Sequence, residues 1–197
     1  MKQKLLLTLL CLVFAMNGKA WAQTSVDGEI EWSFNAENGT LLIAGNGAMK
    51  DYSNHSSGTY GMAPWLIYAT QIKSITIGEG VTRIGDYTFY NCTDLTNIQM
   101  PETLKEIGER AFYNCSSLEN ITIPESVTNI GDYAFSYCTK ITDFTLPSKI
   151  AVIGEGTFEE CRSLKTFAIP EGVTTIGIHA FRCCEALTDI IIPDSVT

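Results

Sequence analysis

Apolar and polar positions along most of the chain follow a pattern that returns every 23 residues. In each unit an isoleucine is followed by glycine, a phenylalanine stands five residues after that isoleucine, and a cysteine comes three residues later. The pattern predicts a repeated core made of Ile84, Phe89, Cys92, Ile107, Phe112, Cys115, Ile130, Phe135, Cys138, Ile153, Phe158, Cys161, Ile176, Phe181 and Cys184. Self-similarity at a fixed period of this length indicates a solenoid of stacked units.

One unit is enough to predict a short strand and one corner. Leu95, Ile98 and Met100 are spaced so that alternate side chains face inward from a strand. Pro101 ends that strand, because proline cannot donate to a ladder of hydrogen bonds. Gly85 indicates a corner where a side chain would crowd the backbone. Since a single unit leaves its apolar edges uncovered, stability must come from stacking on neighbouring units.

The segment before the repeats has a different pattern. Trp32 and Phe34 precede an Asn38-Gly39 pair, and Leu41 and Ile43 follow it with the same alternation. An Asn-Gly pair between two alternating runs is a strong signal for a β-hairpin. A hairpin of this kind is expected to cover the first unit, as terminal repeats require.

The N-terminus predicts a secretory signal peptide. Lys2 and Lys4 precede an apolar run from Leu5 to Ala15, and Ala20-Trp21-Ala22 supplies the small residues of a cleavage site. The apolar run is short for a membrane span. The expected organisation is therefore a signal peptide at 1–22, a β cap at 23–74, five repeats at 75–189 and the start of a sixth, truncated repeat at 190–197.

The units and the segment before them resemble the BspA-type leucine-rich repeats of bacterial surface proteins. The segment before the repeats is similar to the cap that opens many of these proteins. The similarity lies in Trp32, the run from Asn38 to Leu41, the run from Gly45 to Met49 and the Pro64-Trp65 pair. The resemblance implies a mainly β fold, a right-handed leucine-rich-repeat solenoid with short strands and an N-terminal β-hairpin cap. It also implies surface display and adhesion, with host matrix proteins or other cells as partners.

The net charge of the chain bears on the class of partner that it can bind. The chain has 13 Lys+Arg and 22 Asp+Glu, and removal of the three lysines in the signal peptide leaves a formal charge of −12. Such a field repels phosphate backbones and anionic headgroups, so nucleic acid is not an expected partner. We expect a secreted or cell-surface protein, with the periplasm as another possible location. No membrane insertion of the mature chain is expected.

The sequence contains little catalytic chemistry. His55 and His179 stand far apart along the repeats, and neither belongs to a nucleophile or metal signature. The cysteines lack Cys-x-x-Cys spacing, so we expect no metal and no cofactor. The protein is therefore predicted not to be an enzyme.

Six cysteines follow the predicted signal, which in an exported protein favours disulfides. Five of them occupy one repeat position, where parallel Cβ vectors hold the Cβ atoms farther apart than a disulfide prefers. A column of reduced, buried thiols is the favoured interpretation. Cys183 falls outside the column, and its pairing stays open.

Two faces compete as the binding surface. The strand face is expected to expose small polar groups at Asn97, Gln99, Asn120, Thr122, Asp143, Thr145, Thr166, Ala168, Asp189 and Ile191. Another side carries Tyr87, Tyr90, Tyr113, Tyr133 and Tyr137. Tyrosine is enriched at recognition surfaces; the alternative is that these rings only shield the edges of a unit.

The predicted function is an adhesion module that binds protein or glycan. The alternatives are a spacer that displays another domain and a non-catalytic part of a larger enzyme.

Overall fold

A computed structural model of the chain describes residues 23–27, 29–54 and 61–197. The predicted signal peptide at 1–22 lies outside the described residues, and so does His55. Short strands and turns make up most of the described chain, and one 3-10 helix accompanies them there.

The N-terminal segment forms three antiparallel strands, β1 (Gln23–Asp27), β2 (Ile30–Asn35) and β3 (Thr40–Gly45). Trp32 pairs with Ile43, and the amide of Gly39 in the predicted turn donates to the carbonyl of Asn35 across 2.8 Å. Strand β1 was not expected from the sequence. Strand β3 then pairs in parallel with the first repeat strand, so the antiparallel segment continues the sheet of the repeats.

Four of the five described repeats contribute two strands rather than the single one that the sequence predicted, and the unit of Ile130 has an isolated bridge from Asn120 to Asn97 in place of its first strand. The first column of strands is β5 (Ser74–Ile77), β7 (Asn97–Gln99), β10 (Asp143–Thr145) and β12 (Thr166–Ala168). The second column is β4 (Gly47–Ala48), β6 (Val81–Ile84), β8 (Glu106–Ile107), β9 (Asn129–Ile130), β11 (Val152–Ile153) and β13 (Thr175–Ile176). Parallel pairs such as Ser74 with Asn97 and Glu106 with Asn129 are offset by one repeat. The corner after β6 is tight, because a Cβ atom at Gly85 would lie 1.9 Å from the carbonyl oxygen of Lys50.

The third side of each unit is built from turns, yet it also has a ladder of backbone hydrogen bonds. The amides of Tyr87, Phe89 and Asn91 donate to carbonyls of the next unit across 2.8–2.9 Å. Tyr87 and Asn91 adopt left-handed backbone conformations, with φ of 54° and 60°. The same two positions are left-handed in the later units, so this side repeats as regularly as the strands do.

A column of phenylalanine rings runs through the centre of the stack. Successive centroids of the rings at 89, 112, 135, 158 and 181 are 5.2, 5.3, 5.8 and 5.6 Å apart. The first four rings are fully buried, as are the isoleucines at 84 and 107. In the last described repeat, Ile176, Phe181 and Cys184 are only half-buried, because that unit has a packed neighbour on one side.

Both strand columns are interrupted at one level, between the unit of Ile130 and the unit of Ile153. Within the described residues, β9 pairs only with β8, and β11 pairs only with β13. The amides of Gly131 and Gly177 donate to the preceding unit across 2.8 and 2.7 Å, whereas the amide of Gly154 has no such backbone partner in the described chain. On the third side the ladder continues across this level, as in the 2.8 Å bond from Tyr133 to Glu155.

Phe144 is the first aromatic residue at its repeat position, and it lies at the level of the interruption. Earlier units carry Ile98 and Ile121 at this inward position. The ring of Phe144 lies edge-on between Phe135 and Phe158, with centroid distances of 5.1 and 4.7 Å. Phe167 lies edge-on between Phe158 and Phe181 in the same way, at 4.9 and 4.8 Å, and the strands pair at that level, so the ring alone does not explain the interruption.

Candidate functional site

The five candidate tyrosines lie together on the third side, across three consecutive units. Four of the rings are half-buried, and Tyr137 is 37% exposed. The left-handed conformations of Tyr87, Tyr133 and Tyr137 direct these side chains from turns rather than from strands. Tyr87 and Tyr90 also pack against the hydrophobic core. We call this set, together with the arginine among it, the tyrosine surface.

Arg110 occupies the centre of the tyrosine surface, although it was not among the residues predicted from the sequence. Its guanidinium carbon lies 4.5 Å from the ring centroid of Tyr133 and 5.6 Å from that of Tyr87. Its Nη1 donates to the hydroxyl of Tyr87 across 2.9 Å and pairs with Glu109. Partial burial works against the charged form, but Tyr87 and Glu109 outweigh it and raise the pKa of Arg110. A repeat alignment contained the signal, since Arg110 stands one period after Tyr87 and one before Tyr133.

Tyr133 is enclosed on both ring faces. Opposite Arg110, the ring lies on the backbone of Gly156, where a Cβ atom would come within 2.3 Å of Cε1. Its hydroxyl donates to Glu155. That hydrogen bond raises the pKa of Tyr133 to about 12. The side chains of Tyr87 and Tyr133 therefore already make polar and ring contacts within the molecule.

The other three tyrosines are more open. Tyr90 and Tyr113 stack in parallel, with centroids 5.0 Å apart and an interplanar angle of 9°, and Tyr137 follows 5.3 Å from Tyr113. Burial, and after it the phenols of Tyr137 and Tyr90, raises the pKa of Tyr113. The three hydroxyls have no hydrogen-bond partner within the described part of the chain. They form the accessible part of the tyrosine surface.

The competing strand face has small polar groups and one groove. Asp143 accepts hydrogen bonds from Thr166 (2.6 Å) and Thr142 (2.9 Å), which lower its pKa. A groove of about 920 Å³ runs over Ala168 and Ile191, of which Ile191 is 85% exposed. Asp189 likewise accepts a hydrogen bond from Thr188 (3.1 Å), and the rings of Phe144 and Phe167 are buried in the floor of the groove.

All six cysteines of the described chain are free thiols. Those at 115, 138, 161 and 184 donate to phenylalanine carbonyls of the preceding unit across 3.1–3.3 Å. Burial raises the pKa of the Cys92 thiol and raises that of Cys138 to about 12. Cys183 is exposed, and a hydrogen bond with Glu160 raises its pKa.

Within the described residues, few other side chains are candidates for catalysis or metal binding. His179 is exposed, at a left-handed turn position. In the described ranges, His, Cys, Asp and Glu side chains form no group of three or more that could hold a metal ion. No helix of the described residues is long and apolar enough to cross a membrane.

Short parallel strands at a constant offset, a phenylalanine column and a turn side with its own ladder define a leucine-rich-repeat protein. The family model for the BspA type leucine rich repeat region matches six copies over residues 66–188. The chain therefore belongs to the BspA-type leucine-rich-repeat family.

Solved structures of bacterial leucine-rich-repeat proteins are similar to this chain. One from Eubacterium ventriosum has a TM-score of 0.75 and 29% identity over 89% of this chain and 45% of its own. One from T. pallidum has a TM-score of 0.65 and 27% identity over 87% of this chain and 84% of its own. A leucine rich cell surface protein from Faecalibacterium prausnitzii has a TM-score of 0.56 and 30% identity over 85% and 54%. The chain thus spans about half the length of the first and third. Among curated proteins no match was found.

Proposed function

We propose that this chain is an exported surface protein whose tyrosine surface binds another protein, so that adhesion is its biological role. The observation that carries the proposal is the grouping of Tyr90, Tyr113 and Tyr137 with three unpartnered hydroxyls. Tyrosine offers a large contact area and a hydroxyl at low entropic cost, and aromatic anchors dominate many interfaces. The cell-surface description of the F. prausnitzii relative supports display outside the cell.

The proposal assigns binding rather than catalysis. His179 stands alone and exposed, and the buried thiols are held protonated by raised pKa values. A nucleophile needs a neighbouring base or a lowered pKa, and the buried thiols, which donate to backbone carbonyls and have raised pKa values, have neither.

We also propose the finer architecture, a right-handed solenoid with an N-terminal hairpin cap. Parallel strands joined by a crossover are right-handed in nearly all proteins, which supports that hand. The antiparallel pairing of β2 with β3, and the burial of Trp32 and Trp65 beside the first repeat, support a capping role.

Binding is tested with purified protein against a panel of extracellular-matrix proteins and a glycan array. Any partner found is then measured against the variant Tyr90→Phe/Tyr113→Phe/Tyr137→Phe. A matched variant on the strand face, Asn97→Ala/Gln99→Ala/Thr122→Ala, serves as control. We expect the tyrosine variant to bind more weakly and the control to bind normally. The reverse result would place the site on the strand face instead.

Export is tested separately by expression of the full chain in a bacterium with a secretory pathway. We expect the exported product to begin at Gln23, as read by N-terminal sequencing. An unprocessed chain that stays in the cytoplasm would contradict the export proposal without touching the binding one.

A further inference from the structure

The tyrosine surface already holds one guanidinium group of its own. Arg110 is sandwiched between the rings of Tyr87 and Tyr133 and donates to the hydroxyl of Tyr87. A guanidinium makes both contacts well, because it is planar, weakly hydrated and rich in donors. Tyrosine side chains of this surface therefore already bind one arginine side chain.

The neighbouring tyrosines offer the hydroxyl contact of that chemistry without an occupant from the described chain. Tyr90 and Tyr113 cover each other's faces, so they present ring edges and hydroxyl oxygens outward. A phenol oxygen accepts from a cationic donor, as the one on Tyr87 does from Arg110. Tyr137, the most exposed of the five, adds a partly open ring beside Tyr113.

Two carboxylates next to this surface lack a basic partner. Glu109 is paired with Arg110, but within the described residues Asp132 and Glu155 form no ion pair. Asp132 accepts the amide of Glu155 across 2.8 Å, and Glu155 accepts the hydroxyl of Tyr133. Both are exposed, in a chain with a formal charge of −9. Unpaired negative charge beside aromatic rings favours a cationic partner and repels an anionic one.

We propose that the tyrosine surface binds a protein segment that presents arginine side chains to Tyr90, Tyr113 and Tyr137, with Asp132 and Glu155 as the charge complement. This inference rests on the proposed function and names its partner class. A flat sugar ring is a poorer fit, because the faces of Tyr90 and Tyr113 are turned toward each other. An acidic segment would meet the same unpaired carboxylates.

The test uses a synthetic peptide of alternating arginine and glycine and a second peptide in which citrulline replaces arginine. Citrulline keeps the shape of arginine and removes its charge. Affinity for the purified protein is measured by calorimetry at low and moderate salt. The variants are Tyr90→Phe/Tyr113→Phe/Tyr137→Phe, which keeps the rings, and Asp132→Asn/Glu155→Gln, which keeps the acceptors. Glu79→Gln/Glu102→Gln removes two exposed charges elsewhere and is the matched control.

We expect the arginine peptide to bind at least about tenfold more tightly than the citrulline peptide. The phenylalanine variant and the carboxylate variant should each lose about fivefold to tenfold, while the control loses less than about twofold. Equal binding of the two peptides, equal losses in the carboxylate variant and its control, or absence of arginine-peptide binding would each overturn the inference. If a panel protein still binds in a manner that depends on the tyrosines, the proposed function stands and only its partner class falls.

Discussion

The indole nitrogen of Trp65 donates a hydrogen bond to the carbonyl oxygen of Thr88 across 2.8 Å. Trp65 belongs to the 3-10 helix at Pro64–Gln71, before the repeats, and Thr88 lies on the third side of the first unit. Both residues are fully buried, and the ring of Trp65 also lies 6.2 Å from that of Phe89. This bond is thus a specific polar link between the N-terminal segment and the stack.

Trp65→Phe should therefore lower the free energy of unfolding more than Trp32→Phe does. Trp32 is equally buried, but its indole nitrogen has no partner in the described chain. The two changes remove the same atoms, and only the first leaves a buried carbonyl unsatisfied, at a cost of about 1–3 kcal/mol. Urea denaturation of both variants measures the difference. Equal losses would mean that the bond to Thr88 contributes nothing.

Gly156→Ala should be strongly destabilising, because two effects combine. Gly156 has a left-handed φ of 56°, and a Cβ atom there would collide with the ring of Tyr133. Gly61 has a similar φ of 58° but open space around it, so Gly61→Ala measures the backbone effect alone. We expect a loss of about 1 kcal/mol at Gly61 and at least about 2 kcal/mol at Gly156.

The cause of the larger loss can be separated by a double variant. Tyr133→Ala removes the ring that a Cβ atom at Gly156 would strike. In that background Gly156→Ala should cost only about as much as Gly61→Ala, about 1 kcal/mol. If the cost at Gly156 is unchanged, the collision is not its cause.

The repeat period was enough to predict the stacking offset, the alternation around Ile98 and the crowded corner at Gly85. It did not predict the second strand of each unit, because a two-residue strand such as β8 is too short for its alternation to be detected. The turn side was missed for a different reason. Left-handed conformations usually signal glycine, yet Tyr87 and Asn91 adopt them here under the constraint of bonds to the next unit.

The interruption between the third and fourth repeats should appear in amide hydrogen exchange. Gly131 and Gly177 donate to the preceding unit, while Gly154, at the same repeat position, has no backbone partner in the described chain. We expect the amide of Gly154 to exchange faster than both, since exchange requires an amide free of a hydrogen bond. Equal exchange at the three glycines would show that the strand sides are closed at this level.

The tyrosine surface gives a pH dependence with a definite sign. The hydrogen bond to Glu155 raises the pKa of Tyr133 from 10.0 to about 12 in the folded protein. The folded state therefore holds this proton more tightly than the unfolded state does. The resulting stabilisation is present below pH 10 and is lost as the pH rises from about 10 to about 12. Phenolate absorbance measures the titration, with Tyr133→Phe to identify the group.

Glu155→Gln is the matched test of the cause. It keeps an acceptor for the hydroxyl of Tyr133 and removes the charge that disfavours the phenolate. We expect the titration of Tyr133 to move back toward 10.0 and the alkaline loss of stability to shrink. A titration that does not move would assign the raised pKa to another source.

The candidate site was only partly predictable. The five tyrosines could be found by their repeat positions, but their division into engaged and open rings depends on Arg110 and Gly156, which touch Tyr133 across unit boundaries. Such contacts join residues one period apart, and a pattern of residue types does not indicate which of them stack. The chemistry of the surface therefore required the structure.

The cysteine column predicts how thiols react with a modifying reagent. Cys183 is exposed, whereas Cys92, Cys115, Cys138 and Cys161 are fully buried and, by burial, have raised pKa values. In native protein we expect Cys183 to react first and the four buried thiols to react only as fast as the stack opens. Because the reagent then measures opening, Gly156→Ala should accelerate the slow phase and leave the Cys183 phase unchanged. After denaturation without reductant all six thiols should react. If two or more thiols fail to react, disulfides cross-link neighbouring units. The slow phase in native protein would then report disulfide reduction rather than unfolding.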